Sequence, residues 1–188
     1  MRIKIRVMGS AGGKLSAKAK KLSYLLGKAI AEAGCVVITG SCPGLPFEYT
    51  RGAKEAGGLT LGVSPGLNLR EHIDLYKSPT EFIDILVFTG SGLMGREVIG
   101  VRSCDIVIIV GGRSGTLGEF CIAYDEGRTI GVLQGTGGIT TGLHQVVRMT
   151  KKNTGSDVIY DTDPFRLVRK VLRAFDRHKN RKMRYAAG

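Results

Sequence analysis

The stretch Ile106–Glu119, IVIIVGGRSGTLGE, decides the fold. The run Ile106–Val110 is apolar throughout, short, and rich in β-branched residues, which predicts a strand buried on both faces. Gly111-Gly112-Arg113-Ser114-Gly115-Thr116 turns the chain, and a helix is predicted over Leu117–Glu126. A buried strand, a glycine-rich turn and a helix, in that order, belong to a parallel crossover unit.

Working outward, the same unit recurs. Upstream, Ile3, Ile5 and Val7 form a strand that ends at Gly9–Gly13. A helix follows from about Leu15 to Ala33, with Leu22, Leu25, Leu26, Ala29 and Ile30 on one face and Gly34 as its stop. Cys35–Ile38 reads as a second buried strand, Gly40–Gly44 as its turn, and a second helix runs to about Ala56. Leu59–Val63 is a third strand, and Ser64–Phe82 a long connection expected to help close a site. Strand Ile83–Phe88, turn Thr89–Gly92 and helix Leu93–Arg102 lead into the opening stretch. Downstream come strand Thr129–Leu133, a helix after Gly142, strand Val158–Ile159 and a basic helix. The alternation predicts an α/β fold, Rossmann-like and doubly wound, with a mostly parallel sheet and helices on both faces. Residues 1–163 form the domain, and the basic helix and tail, 164–188, pack on it.

Composition narrows the function classes. At 43% hydrophobic and 23% charged, the 188 residues are neither a disordered chain nor a fibre. The sequence holds no apolar run long enough to span a bilayer and no signal-peptide core, so a cytoplasmic protein without membrane contact is expected. Cys35, Cys42, Cys104 and Cys121 are far apart and read as reduced residues; His72, His144 and His178 lack metal-ligand spacing, so no metal site is expected. The net charge of +12 is uneven: residues 164–188 carry nine basic side chains against Asp176. That tail could face nucleic acid or simply be the solvated side of a helix docked by Leu167, Val168, Val171, Leu172 and Phe175.

In a doubly wound sheet the ligand lies beyond the carboxyl ends of the strands. Four glycine-rich turns fall there, each opening a helix whose free N–H groups favour an anion. They predict a phosphorylated ligand. The pattern is neither a G-x-x-x-x-G-K-[ST] loop nor G-x-G-x-x-G, which disfavours an ATP-hydrolysing P-loop and an ordinary dehydrogenase.

GGRSGTLGE (Gly111–Glu119) resembles the P-G-G-x-G-T-x-x-E signature of the "possible lysine decarboxylase" family, which includes the Lonely guy cytokinin-activating phosphoribohydrolases. MGREVIGVRSCD (Met94–Asp105) is similar to that family's arginine helix, VMGSAGG to its first loop, and Thr39–Gly66 to its second. The resemblance runs to about Asp163 and is nearest to the short branch that includes molybdenum cofactor carrier proteins, whose loop also reads G-G-x-x-G-T. A decarboxylase using pyridoxal phosphate would need a Schiff-base lysine, and of these loops only the first holds one, Lys14.

The resemblance implies hydrolysis of the N-glycosidic bond of a nucleoside 5′-monophosphate, giving free base and ribose 5-phosphate. Glu119 would stabilise the oxocarbenium-like centre or position water. Arg96 would hold the phosphate or orient Glu119. Gly111, Gly112, Arg113, Gly115 and Thr116 would cradle the phosphate, with Gly9, Ser10, Gly40 and Ser41 on the remaining wall. Structural roles remain open beside these: Glu119 as a dipole partner, Thr116 as an N-cap, Arg96 as a helix-surface ion pair. Two departures stand out. Hydrolytic members have a lysine where this chain has Glu97, and a glycine where it has Arg113. An acid at position 97 is expected to weaken phosphate binding unless Arg113 compensates.

Two further readings stand beside the hydrolase: a carrier that binds a nucleotide or pterin phosphate such as molybdenum cofactor without turnover, and a nucleic-acid-binding protein using the tail. No cofactor is required in any of them. The resemblance also implies a homodimer or higher homo-oligomer.

Overall fold

The computed structural model describes the backbone of residues 1–186 and the side chains of residues 1–179. In chain order the elements are β1 (Lys4–Gly9), α1 (Ala17–Glu32), β2 (Val36–Thr39), α2 (Leu45–Glu55), β3 (Leu59–Ser64), β4 (Ile85–Phe88), α3 (Gly92–Arg102), β5 (Ile106–Val110), α4 (Ser114–Asp125), β6 (Thr129–Leu133), α5 (Leu143–Thr150), β7 (Asp157–Asp161) and α6 (Pro164–Ala186). The connection after β3 holds one π-helical turn, Glu71–Leu75, and a 3₁₀ turn, Gly138–Thr141, precedes α5.

The strands form a single seven-stranded sheet in the order β4-β3-β2-β1-β5-β6-β7. Every pairing is parallel. The chain winds outward from β1 to β4, then crosses to the other side of β1 and winds outward again. The switch point lies between β1 and β5, which pair from Ile5↔Ile106 to Gly9↔Val110. All five residues of β5 are buried, because helices cover both faces of this central strand.

Period-two alternation divides the core. Ile5, Val7, Ile106, Ile108 and Val110 pack against α1, α2 and α6, through Leu26, Ile30, Tyr49, Leu167 and Val171. Met8, Val107 and Ile109 pack on the opposite face against α3, α4 and α5, through Val101, Phe120 and Leu143. α6 buries Leu167, Val168, Val171 and Ala174. Two cations of its basic face, Arg166 and Lys170, are bound to Asp161 at the end of β7, whose carboxyl is held well below its usual range by those partners.

Several boundaries shift from the sequence reading: α1 starts at Ala17, after its N-cap Ser16, and β7 runs over Asp157–Asp161. α4 starts at Ser114 and not at Leu117, so Gly115 and Thr116 are helical. Arg113, in extended conformation, occupies the N-cap position and Thr116 does not. β4 begins at Ile85, two residues late, because Asp84 bends inward and accepts from Thr60 N at 2.8 Å and Thr60 Oγ1 at 2.9 Å. The four cysteines are free, and Cys121 is exposed on α4 although it sits in an apolar run. Among the described residues no helix is long and apolar enough to cross a membrane.

Candidate functional site

At the switch point, the loops leaving β1 and β5 enclose a cavity of about 420 Å³. That is within the range of small-molecule sites. It is lined by Gly9 and Ser10 from the first loop, Arg96 and Glu97 from α3, and Arg113, Gly115, Thr116 and Glu119 at the start of α4. A larger hollow of about 600 Å³ lies between Leu15, Phe47, Ile73 and Lys77. It sits away from the switch point, and the connection Ser64–Phe82 contributes there and not to the switch-point cavity.

The cavity is shaped by a clasp between its two loops. Ser10 Oγ accepts from Gly112 N at 2.7 Å, and Thr136 Oγ1, after β6, accepts from Gly111 N at 2.8 Å. The amides of Gly111 and Gly112 are thereby committed to holding the loop, and neither glycine lines the cavity. The uncapped amides at the cavity are instead those of the first turn of α4, Ser114 to Thr116, because no side chain caps this helix.

Arg96 is buried in the cavity wall. Its NH1 donates to the carbonyls of Gly40 at 2.5 Å and Val63 at 3.1 Å, and its NH2 contacts Cys42 Sγ at 3.1 Å. It ties the ends of β2 and β3 to α3 and makes no ion pair among the described residues. Gly40 gives its carbonyl to this contact. Ser41 turns away: its backbone is left-handed (φ 51°), and its buried Oγ, beside Gly62, has no partner among the described residues. Gly40 and Ser41 lie behind the wall, and Cys42 is the residue of that loop that reaches the cavity. The turn after β4 does not converge with the others, since β3 and β2 separate β4 from β1; α3 bridges that distance with its side chains.

The floor holds a residue that the sequence reading did not single out. Arg6, in the middle of β1, is 2% exposed, and it donates from Nε to Glu119 Oε1 at 3.1 Å and from NH2 to the same oxygen. Burial alone would lower the guanidinium, but the Glu119 charge and hydrogen bonds outweigh it and hold Arg6 above its usual value. Glu119 lies in the second turn of α4 and points back to this pair. A Cβ at position 100 would stand 2.2 Å from Arg6 Cζ, so the pair fits beneath α3 only because Gly100 has no side chain.

Glu97, on α3, rests against α4 close to Glu119. It is buried and makes no hydrogen bond or ion pair among the described residues. Its oxygens rest over Gly115 and Gly118, 3.2 and 3.3 Å from where a Cβ would stand. Burial first, then the neighbouring Glu119 charge, push its carboxyl up to about 7, with Arg96 and Arg6 pulling the other way. Among the described residues no group of three or more His, Cys, Asp or Glu could hold a metal ion.

Fold and cavity define a doubly wound α/β protein with a switch-point site built from two glycine loops and one arginine-bearing helix. The comparisons agree: the model of the SLOG cluster4 family matches residues 2–168, and the chain belongs to that family. An uncharacterized protein of Archaeoglobus fulgidus is 35% identical over 132 residues, 70% of this chain and 80% of that one. Among solved structures, TM1055 superposes with a TM-score of 0.78 at 24% identity, over 92% of this chain and 99% of that chain, which establishes the shared fold. The molybdenum cofactor binding protein of the phototrophic bacterium Rippkaea orientalis is 28% identical, with a TM-score of 0.74, over 92% of this chain and 98% of that chain.

Proposed function

We propose that this protein binds a phosphorylated small molecule, a nucleoside 5′-monophosphate or a pterin phosphate, in the switch-point cavity. The carrying observation is the uncapped first turn of α4 opening into that cavity beside Arg113. Arg96 and Arg113 line the cavity, and Arg6 beneath it is bound to Glu119, so that carboxylate is already matched before an anion enters. The cofactor bound by the Rippkaea orientalis protein supports the pterin alternative. The experiment is native mass spectrometry of the purified protein, followed by titration with a panel of nucleoside monophosphates and pterin phosphates. Binding in the micromolar range supports the reading, and no binding at about 1 mM by any member refutes it.

A second reading, hydrolysis of the N-glycosidic bond, is favoured by the position of Glu119: Arg6 holds its carboxylate at the cavity floor. A carboxylate so placed can stabilise positive charge developing at an anomeric carbon. Release of ribose 5-phosphate that disappears in Glu119→Ala supports it, and tight binding without release leaves the carrier reading. Self-association, implied by the family resemblance, is supported by an apolar edge: Ile85, Val87 and Phe88 on β4 and Leu93 and Ile99 on α3 are all exposed.

A further inference from the structure

We propose that Glu97 is a ligand-binding residue: as a neutral carboxylic acid it donates its O–H to an oxygen of the phosphate held at the first turn of α4, so that the anion is bound together with a proton. The inference rests on the phosphate-binding reading of the cavity and names the group that completes its anion subsite.

Three observations carry it. First, Glu97 is a buried residue that lines the cavity, and its carboxyl oxygens, which are not sealed from it, have no protein partner among the described residues. A carboxyl that opens onto a cavity from an otherwise buried residue, with no protein group engaging it, is free to meet a ligand atom there. Second, it stands over Gly115 and Gly118, on the face of α4 whose first-turn amides are uncapped. An oxygen of an anion at those amides lies between them and Glu97. Third, the charged groups around it are Arg96 on its own helix, Arg6 from β1, and Glu119 and Arg113 from α4. In the ionised form Glu97 would add a second carboxylate beside Glu119 and oppose the anion. In the neutral form it supplies a donor and leaves the cations in excess. Its elevated carboxyl, near 7, places the neutral form within reach at physiological pH.

The apparent conflict between an acid at position 97 and a phosphate site is thereby removed. The substitution exchanges a fixed cation for a proton-dependent donor. It follows that the ligand must present an acceptor at this position and that binding takes up protons.

The test has two arms. In the first, the Glu97 carboxyl of the intact protein is followed by carbon NMR against pH, its resonance assigned by its loss in Glu97→Gln. The expected midpoint is near 7, rising when inorganic phosphate or sulfate is added. A midpoint in the ordinary glutamate range, or one the anions do not raise, overturns the proposal. In the second arm, adenosine 5′-monophosphate is titrated at about pH 6 and about pH 8. The wild-type affinity should fall about tenfold more than that of Glu97→Gln, whose amide donates at both values; the comparison cancels the ligand's own titration. Equal pH dependence in the two proteins overturns the proposal. If the nucleotide and pterin panel fails while inorganic phosphate still raises the midpoint, the ligand class is wrong and the proton-linked anion subsite stands.

Discussion

Replacing Arg6 by methionine should unfold this protein more easily than any surface substitution. Methionine keeps the aliphatic stem in the core between β1 and α3 and removes the guanidinium. Glu119, whose side chain is 11% exposed, then loses the partner of its Oε1. Breaking a buried pair from one side costs about 3–5 kcal/mol, because the remaining charge is left uncompensated. With a urea m-value of about 2–3 kcal/mol/M, the unfolding midpoint should fall by about 1–2 M. The assay is urea unfolding followed by circular dichroism on four proteins: wild type, Arg6→Met, Glu119→Gln and the double variant. The double variant should be more stable than the sum of the single losses predicts, by about 2 kcal/mol, since no charge is then orphaned. A loss below about 1 kcal/mol in Arg6→Met, or strict additivity in the cycle, would show that the pair does not organise the floor.

Gly100→Ala should destabilise by about 1–3 kcal/mol because its Cβ would strike the Arg6 guanidinium, although alanine is the better helix former by about 1 kcal/mol; the same change made in Arg6→Met should stabilise, and thermal unfolding decides the sign. The folded-state carboxyl of Glu97 is raised above its unfolded value, so its contribution is complete at low pH and is lost as pH rises through about 7. Glu97→Gln should therefore match wild type near pH 4–5 and exceed it by about 1–2 kcal/mol at pH 8, a figure reduced for water in the cavity, as read by urea midpoints across pH. Light scattering on the purified chain should give a dimer or larger assembly, and Ile85→Glu with Val87→Glu should shift it to monomer; a monomeric wild type removes the apolar edge as an interface.

The fold was legible because its punctuation is local. The run Ile106–Val110 matches β5 residue for residue, and Gly34 marks the end of α1 within two residues. The start of α4 was not, since Gly115 and Thr116 look like turn residues until the backbone shows them helical. Arg6 was hidden by the alternating pattern of MRIKIRVMGS, which reads as a strand with one wet face. The signal was nevertheless present: a first strand that becomes central in a doubly wound sheet is covered on both sides, so a charge in its middle requires a buried counter-charge. Glu97 appeared in the sequence only as a missing lysine. Its role depends on the neighbours that α4 and β1 bring to it, a long-range fact that no local pattern encodes. The amides of Gly111 and Gly112 show the converse: glycines that look like a phosphate cradle are held by Ser10 and Thr136.

The β1–β5 pairing also sets a clock. Arg6 and Glu119 are separated by 113 positions, and Ile5 cannot meet Ile106 until β4 and α3 have been made. At ribosomal rates of about 5–20 residues per second, Arg6 leaves the peptidyl centre about 6–23 s before its counter-charge exists. Through that interval the nascent chain can pair β1 with β2 and β2 with β3, but it carries a bare guanidinium on a strand destined for the interior. The last contact of the cavity floor is thus also its longest-range one, which places site assembly among the slow, topology-limited steps of folding. A chain cut short just before Glu119 would hold five of the seven strands, an unmatched cation and an incomplete pocket.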